Sequence, residues 1–405
     1  MAKLKKKGNQ TTGDDNIVRK GNFKFNVDGR EGNDRIVVTS DHDNTVYGGD
    51  GNGADSITVN GDGNNLIMGG GGDDVINMNG ISTGILGNRI SGGDGADKIN
   101  GGNGKDRISG GAGDDVINAN EGENIVWGGT GNDRINGGNQ KDEIQGGDDN
   151  DTINANEGVN TVDGGNGDDV ITAGNSTDYL QGGNGSDRIV GNEGHNYIFD
   201  SDTVGGWNNT ITSGNQGSTI VVNAGNDKIV TGDGVDTVYL EGTYDYNTGA
   251  GTGGNDDVIL NNGNDVVYFS LTGYKGNEKV VVDGGTGTDT FNFSLNFEHM
   301  DNPGAGAGVA INAINDWADD LVKDTASFDK LRAVFDDATI DAIEDAYTVL
   351  RSDLSEYEFG GSTDATFVHI KNFEDVGVKW QPTQGTYTPF TTLSPLTAVP
   401  ADNFL

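Results

Sequence analysis

The stretch from Gly92 to Phe199 repeats with a period of nine residues, and this repeat decides the fold. It divides without an insertion into GGDGADKIN, GGNGKDRIS, GGAGDDVIN, ANEGENIVW, GGTGNDRIN, GGNQKDEIQ, GGDDNDTIN, ANEGVNTVD, GGNGDDVIT, AGNSTDYLQ, GGNGSDRIV and GNEGHNYIF. The consensus is GGxGxDxUx, in which U is a large apolar residue, and positions are numbered from its first glycine. The register returns at 69–77, 83–91, 204–239, 251–268 and 284–292, with degenerate copies back to about Asp28, so the chain holds about 20 nonapeptides.

Each nonapeptide predicts half of one coil. The glycine-rich half favours a turn with positive φ, and the segment xUx is a minimal strand with one inward side chain. Two nonapeptides complete one coil, so like positions stack on those of the next nonapeptide but one. The sequence therefore predicts an all-β parallel roll with two core columns. One column holds Ile99, Ile117, Ile135, Ile153, Ile171 and Ile189, and the other holds Ile108, Val126, Ile144, Val162, Leu180 and Ile198.

The composition limits what such a roll binds. The chain has 70 Gly, 5 Pro and no Cys in 405 residues, and its 64 acidic and 25 basic side chains give a net charge of −39. Collagen, disulfides and thiolate metal sites are excluded, and the charge argues against nucleic acid as a partner. Because only 32% of residues are hydrophobic, the core is too thin to offset the entropy of ordering the chain. We expect bound cations to contribute to folding.

Position six supplies rows of carboxylates that predict where those cations bind. Stacking places Asp97, Asp115 and Asp133 in one row, which repels itself unless a cation lies between successive turns. Carboxylate and backbone carbonyl oxygens suit calcium, and we expect roughly 10 to 20 ions. Asp34 and Asp55 are weaker candidates in irregular copies. The predicted ligands are Asp74, Asp97, Asp106, Asp115, Asp133, Asp142, Asp151, Asp169, Asp178, Asp187, Asp227, Asp236, Asp256, Asp265 and Asp289, with turn glycines Gly93, Gly95, Gly102, Gly104, Gly111, Gly113, Gly129, Gly131, Gly165, Gly167, Gly183 and Gly185.

The second row alternates between Asp and Asn, because every fourth nonapeptide is an xNEGxN variant. Its sixth positions are Asp106, Asn124, Asp142, Asn160, Asp178 and Asn196. We expect one edge of the roll to carry a continuous row of calcium ions and the other a weaker or interrupted one. Glu121, Glu157 and Glu193 are candidates to substitute for the missing carboxylates.

The nonapeptides resemble those of the RTX repeat proteins, and the resemblance covers about two thirds of the chain. It implies a parallel β-roll that binds calcium and export by type I secretion with an uncleaved C-terminal signal. The end Asp402–Leu405 is similar to such a signal, although Asn403 departs from the pattern. No apolar run is long enough for a membrane span, and no N-terminal signal peptide is recognised. We therefore expect a bacterial extracellular or cell-surface location.

Motifs for catalysis are weak, so we expect a protein that is not an enzyme. The four histidines are far apart, and none lies in an HExxH zinc motif. Gly80–Gly84 reads GISTG and matches the GxSxG nucleophile elbow, which leaves a hydrolase using Ser82 as a remote alternative.

The flanks differ in composition from the repeats. Residues 1–27 form a basic segment, which is either a solvated tail or a contact for an anionic cell-surface glycolipid. The roll is assigned to 28–300, with its uninterrupted core at 92–199. Apolar residues at helical spacing within 309–358 predict two or three short helices, which form a cap or assembly region at 301–380. Residues 381–405 are a Pro- and Thr-rich tail and possible secretion signal.

Two classes of function remain open for the roll. The first is a secreted, calcium-binding structural protein that self-assembles as a bacterial surface layer or as an extracellular matrix filament. The alternative is a calcium-dependent adhesin or glycan-binding module that uses aromatic residues such as Trp127, Trp207 and Tyr197, provided that they are exposed.

Overall fold

The computed structural model describes residues 12–82, 87–200, 207–223, 225–241, 244–245, 250–251, 254–270, 279–295, 356–359, 367–371 and 375–380. These residues form strands and turns and contain no helix. They fall into two compact units. One unit comprises the described residues within Met1–Ser201 and Asn209–Ser213, and the other comprises those within Asp202–Asn208 and Gly214–Phe390.

The first unit is built from short strands that alternate between two parallel sheets. They are β1 Asn16–Lys20, β2 Asn26–Asp28, β3 Arg35–Thr39, β4 Thr45–Gly49, β5 Ser56–Asn60, β6 Leu66–Gly71, β7 Val75–Met78, β8 Ile81–Ser82, β9 Asn88–Asp94, β10 Lys98–Asn100, β11 Asn103–Gly104, β12 Asp106–Ala112, β13 Val116–Asn118, β14 Ile125–Thr130, β15 Arg134–Asn136, β16 Glu143–Asp148, β17 Thr152–Asn156, β18 Thr161–Asn166, β19 Val170–Ala173, β20 Tyr179–Asn184, β21 Arg188–Asn192, β22 Tyr197–Phe199 and β23 Thr210–Ser213.

The first sheet follows the order β1, β3, β5, β7, β10, β13, β15, β17, β19, β21 and β23, and the second follows β2, β4, β6, β9, β12, β14, β16, β18, β20 and β22. A nonapeptide thus contributes one strand to one sheet, and the next contributes a strand to the other. Within the uninterrupted repeat, strands pair in the register of two nonapeptides. Ile99 pairs with Ile117 in the first sheet, and Val126 pairs with Ile144 in the second. This confirms the predicted parallel β-roll.

The core consists of the two predicted columns. Every member is 0 or 1% exposed, and strand pairing places each member beside the next. The columns continue toward the N-terminus through Ile36, Ile57 and Ile76 in the first sheet. Strands begin at Asn16, inside the segment assigned from sequence to a basic tail, because Ile17 and Val27 are buried and pair in register.

The second unit repeats this parallel arrangement with longer connections. Its strands are β24 Thr219–Val222, β25 Lys228–Val230, β26 Thr237–Glu241, β27 Tyr244–Asp245, β28 Ala250–Gly251, β29 Asp257–Ile259, β30 Val266–Ser270, β31 Lys279–Asp283, β32 Thr290–Leu295, β33 Glu356–Phe359, β34 Phe367–Lys371 and β35 Asp375–Trp380. Strand β27, in the insert at 240–250, pairs antiparallel with β28. Strands β31 and β34 pair in parallel, as do β32 and β35, whereas β33 joins β34 antiparallel.

The predicted helical region at 301–380 is described only in part. Its described residues are strands β33 to β35. The apolar positions on which the helices were predicted, from Trp317 to Leu350, lie outside the described residues, as do 381–405. The described residues contain no helix with the length and hydropathy of a membrane span.

Candidate metal sites at the two edges of the roll

The turns of the first unit form two edges, which differ at position six. The continuous edge comprises the turns that lead from the second sheet to the first, with Asp97, Asp115, Asp133, Asp151, Asp169 and Asp187. The alternating edge comprises the opposite turns, with Asp106, Asn124, Asp142, Asn160, Asp178 and Asn196. All of these side chains are 0 to 3% exposed. The predicted rows are therefore brought together, and both are buried.

Each carboxylate of the continuous edge uses one oxygen to join two coils. The backbone N–H of Asp97 donates to Oδ1 of Asp115 at 2.7 Å, and the N–H of Asp115 donates to Oδ1 of Asp133 at 2.8 Å. The same bond repeats along the row to Asp187. It also extends back through Asp34, Asp55 and Asp74, where the spacing departs from that of the uninterrupted repeat.

The second carboxylate oxygen has no partner within the described residues at every position of this row except Asp55. Oδ2 is buried and without a hydrogen bond at Asp34, Asp74, Asp97, Asp115, Asp133, Asp151, Asp169 and Asp187. Leaving a buried charged oxygen unpaired is costly, so a native site of this kind requires a cation or a proton. Apart from Asp55, the row therefore presents one unpaired carboxylate oxygen in each turn.

A carbonyl oxygen from the next coil lies beside each of these unpaired oxygens except that of Asp187. At Gly92, a Cβ would contact both Oδ2 of Asp97 and the carbonyl oxygen of Gly110. The same pair of oxygens recurs at the first glycine of the following turns, Gly110, Gly128, Gly146 and Gly164. Position one is glycine because any side chain would fill this space. Carboxylate and carbonyl oxygens from successive coils are the donor set that calcium prefers, so the residues present fit the expected ion.

The predicted glycine ligands adopt the turn conformation that the repeat requires. All twelve, at positions two and four, have φ between +88° and +138°. The N–H of Gly95 joins its turn to the next coil by donating to the carbonyl of Ala112 at 2.7 Å. In the described part of the chain, no group of three or more His, Cys, Asp or Glu side chains converges on one point. The ligand role of these glycines stays a prediction.

The alternating edge contains two kinds of turn. Oδ2 is buried and unpaired at Asp106, Asp142 and Asp178, as on the continuous edge. At the intervening turns, an amide takes the place of the cation. Asn124 Nδ2 donates to the carbonyls of Gly122 at 3.0 Å and Asn120 at 3.3 Å. Asn160 and Asn196 make equivalent bonds within their own turns. Every second turn on this edge is closed by the protein itself.

The acidic residues predicted as substitutes lie beside these closed turns. Asn139 Nδ2 donates to Glu121 Oε1 at 2.5 Å, and Asn175 Nδ2 donates to Glu157 Oε1 at 2.6 Å. Each bond joins the turn to the next turn along the same edge. Both glutamates therefore link neighbouring turns by a hydrogen bond. For these two residues and for Glu193, a role as calcium ligands stays a prediction.

Two parts of the rows were missed by sequence reasoning. The alternating edge continues toward the N-terminus as an asparagine ladder of Asn44, Asn65 and Asn88, in which each backbone N–H donates to the next side-chain oxygen at 3.0 Å. The ladder escapes a search at the spacing of two nonapeptides because its members lie 21 and 23 positions apart. Asn209 also extends the continuous edge by accepting the N–H of Asp187 at 2.7 Å.

The second unit contains a similar row. Asp236 and Asp265 are joined at 2.8 Å by the same N–H to Oδ1 bond, as are Asp265 and Asp289. Oδ2 of Asp265 is buried and without a hydrogen bond among the described residues. The predicted ligands Asp227 and Asp256 form the equivalent bond at 3.1 Å and are 2% exposed.

The pKa values of the rows reflect burial first and neighbouring carboxylates second. On the continuous edge, burial raises the pKa of Asp115 and Asp151 to about 8, and the adjacent carboxylates of the row add to the effect. On the alternating edge, burial raises the pKa of Asp106 and Asp142 to about 7 without a contribution from the row. Lys105 and Glu123 form an ion pair at 3.8 Å on the alternating edge.

The residues considered for catalysis lie beside turns of the alternating edge. Ser82 belongs to the two-residue strand β8, which pairs with β11, and residues 83 and 84 of the GxSxG match lie outside the described residues. His195 is exposed and packs edge-on against Tyr197 at 5.2 Å.

Comparisons with known proteins agree with the geometry of the turns. The family model of the RTX calcium-binding nonapeptide repeat, in four copies, matches residues 59–77, 83–117, 109–144, 136–171, 172–199 and 213–246. No curated protein matches the chain. RTX repeats bind calcium, and proteins that contain them are usually secreted. The repeat region at 59–246 belongs to the RTX calcium-binding nonapeptide family.

Proposed function

We propose that the chain is a secreted structural protein whose roll folds on calcium outside the cell and then self-assembles as a bacterial surface layer or an extracellular filament. The observation that carries the proposal is the row of buried, unpaired Oδ2 atoms that face carbonyl oxygens of the next coil. A calcium ion at each turn would pair both oxygens and cross-link the coils.

Coupling to calcium follows from the energetics of these turns. Without the ion, several buried carboxylates per edge are unpaired, and the two core columns are narrow. Binding to the folded state alone stabilises it in proportion to the logarithm of the calcium concentration. The chain would stay unfolded at low cytosolic calcium, which suits export, and would fold at the higher concentration outside.

Assembly is supported by the ends of the sheets. Among the described residues, β1 and β2 are the terminal strands of the first unit's two sheets. A terminal strand presents unpaired N–H and C=O groups on which another chain can add. A second copy stacked end to end would satisfy these groups, as would the basic N-terminal segment of a neighbour.

Electron microscopy of the purified protein with millimolar calcium and with excess chelator tests this function. Circular dichroism on both samples measures folding separately from assembly. We expect a coil-to-β change and ordered sheets or filaments, both only with calcium. Folded but monodisperse protein in calcium would contradict self-assembly and leave calcium-dependent folding intact. A folded roll in chelator would contradict both.

An adhesin or glycan-binding module is the second candidate, and aromatic exposure favours it. Trp207 is 41% exposed, and the half-buried rings of Tyr179 and Tyr197 stack at 5.0 Å on the second sheet. Trp127, by contrast, is only 9% exposed, so it does not meet the condition of exposure on which this alternative depends. Monodisperse protein in the experiment above would favour this candidate.

A further inference from the structure

A groove runs across the outer face of the second sheet, away from the core columns. It is about 530 Å³ in volume, within the range of about 300–1,000 Å³ that is usual for small-molecule sites. Position-nine residues of β14, β16, β18 and β20 line one wall, and position-three residues of the same strands line the other. The groove lies wholly within the uninterrupted repeat.

The floor of the groove is bare backbone. Gly129, Gly147 and Gly165, at position two, have φ of +131°, +132° and +115°. A Cβ at any of them would contact the carbonyl oxygen of the corresponding glycine one coil earlier. Glycine is required at these positions by the stacking of the turns, so the floor cannot be filled by side chains.

One wall presents buried polar groups that the protein leaves unpaired. Trp127 is 9% exposed, and its Nε1 has no hydrogen-bond partner among the described residues. The Oε1 of Gln145, on the next strand, is likewise buried and unpaired. Asp163 follows on the third strand and is 8% exposed. A donor, an acceptor and a carboxylate thus line the wall at successive strands.

The opposite wall is fixed by a side-chain ladder. Asn166 Nδ2 donates to Asp148 Oδ1 at 2.7 Å, and Asn184 Nδ2 donates to Asn166 Oδ1 at 2.8 Å. This ladder holds each amide in one orientation. Both walls therefore present polar groups with the spacing of neighbouring strands, about 4.8 Å, which is close to the length of one sugar residue.

We propose that this groove binds a neutral glycan, with sugar hydroxyl groups paired to Trp127, Gln145 and Asp163. A hydroxyl group both donates and accepts, so a chain of them satisfies the indole N–H, the amide oxygen and the carboxylate at once. The carboxylates of Asp148 and Asp163 disfavour an anionic glycan or a phosphate. This binding site belongs to the folded roll and does not depend on self-assembly.

The test uses the full chain with calcium bound and three neutral probes: cellohexaose, maltohexaose and chitohexaose. Isothermal calorimetry measures affinity, and tryptophan emission reports on the indole. We expect at least one probe to bind, Asp163→Asn to weaken it about tenfold or more, and Ser109→Ala to leave it unchanged. Ser109 occupies position nine on β12 but does not line the groove.

Hydrogen exchange on the unsubstituted protein provides an independent measurement, in case Asp163→Asn does not fold. We expect the bound probe to slow amide exchange in peptides that contain β14, β16 and β18 more than in peptides that contain strands of the first sheet. The proposal is overturned if no probe binds, or if Asp163→Asn binds as well as the unsubstituted chain. A groove that takes only a divalent cation, so that Asp163→Asn lowers calcium stoichiometry and no sugar binds, would also overturn it.

Discussion

The two edges of the roll build the same turn with different chemistry at position six. On the continuous edge, every turn from Asp97 to Asp169 has an unpaired carboxylate oxygen beside a carbonyl of the next coil. On the alternating edge, Asn124 and Asn160 donate their amide hydrogens to the turn carbonyls instead. The proposed calcium ion and an asparagine amide would thus be two ways to satisfy the oxygen atoms of a turn. Closure by calcium depends on the calcium concentration outside the protein, whereas closure by an asparagine amide does not.

Position two follows the same division, and position one follows it in part. Position one is glycine on the continuous edge, as at Gly92, whereas two of the three closed turns have the buried Ala119 and Ala155 there. The third closed turn has Gly191 at position one, and the turn of Asp178 has Ala173. Position two of a closed turn is asparagine with positive φ, as at Asn120, where φ is +67°.

Acidity should affect both edges and gives the largest expected effect. The ordinary pKa of Asp is 3.8, and burial raises it to about 8 at Asp115 and to about 7 at Asp142. Between these limits the folded, calcium-free chain binds more protons than the unfolded chain. Its free energy of unfolding should therefore fall as pH rises from about 4 through about 8 and level off above that. The alternating edge should lose its share first, as pH passes through about 7.

Thermal unfolding in calcium-free buffer, followed by circular dichroism at a series of pH values, measures this dependence. The melting temperature should decrease as pH increases to about 8. With saturating calcium the sign should reverse, because protons compete with the ion for the carboxylates. A melting temperature that rises with pH in the absence of calcium would contradict the description of the rows.

Replacing the asparagine at position six of the closed turns by aspartate should have the next largest effect on stability. In Asn124→Asp/Asn160→Asp/Asn196→Asp, each turn loses its amide donor and gains a charge. Without calcium, the free energy of unfolding should decrease by about 1–3 kcal/mol per turn. With calcium, the variant should recover stability and bind up to three more ions, counted by calorimetry.

The control adds the same charges outside the turns, as Asn118→Asp/Asn136→Asp/Asn154→Asp on the outer face of the first sheet. These positions stack in register, so the control adds the same number of charges in one row. If the control loses as much stability as the first variant, repulsion explains the loss and the amide bonds do not.

Adding or removing a methyl group at position one should have a smaller effect, and its effect on calcium binding should differ between the two edges. Gly128→Ala would contact Oδ2 of Asp133 and the carbonyl of Gly146, and such overpacking costs about 1–3 kcal/mol. Calcium titration should show weaker binding because both oxygens move. Ala119→Gly, at the same position of a closed turn, should leave the calcium titration unchanged. Equal shifts of the calcium midpoint in both variants would remove the distinction between the edges.

The exposed ion pair on the alternating edge should contribute least to the stability of the roll. Lys105 and Glu123 lie 3.8 Å apart on successive turns, with side chains 40% and 64% exposed. A double-mutant cycle with Lys105→Met and Glu123→Gln should give a coupling energy of about 0.5 kcal/mol or less that disappears at high salt. Lys141→Met, at the same position two turns later, serves as a reference. A coupling well above the range of about 0.2–1 kcal/mol that is usual for exposed pairs would mean that this pair, rather than the asparagine amides, supports the edge.

Periodicity alone predicts the core and the rows, because a fixed coil of two nonapeptides determines which side chains stack. Ile99 and Ile117, and Asp97 and Asp115, could be paired from the sequence without ambiguity. The division of each carboxylate between a hydrogen-bonded Oδ1 and an unpaired Oδ2 depends on side-chain rotamers, which the repeat does not encode. The ladder of Asn44 and its successors escaped detection because inserted residues change the coil length there.

The burial of Trp127 was also not predictable from the repeat. Position nine points away from the core, so a large ring there suggests exposure. The bare glycine floor beside it, however, lets the ring lie against the sheet, and this packing depends on neighbouring strands rather than on local sequence.

The pairing of every second nonapeptide also sets how the length of this roll can change in evolution. Deleting one whole coil from 92–199 rejoins the core columns, but it places two asparagines or two aspartates side by side along the alternating edge. Deleting two coils restores both edges. Deleting a single nonapeptide exchanges the edges, so that a row of carboxylates would meet a row that contains amides. Functional relatives should therefore differ in length by multiples of two coils more often than by one coil, and rarely by half a coil.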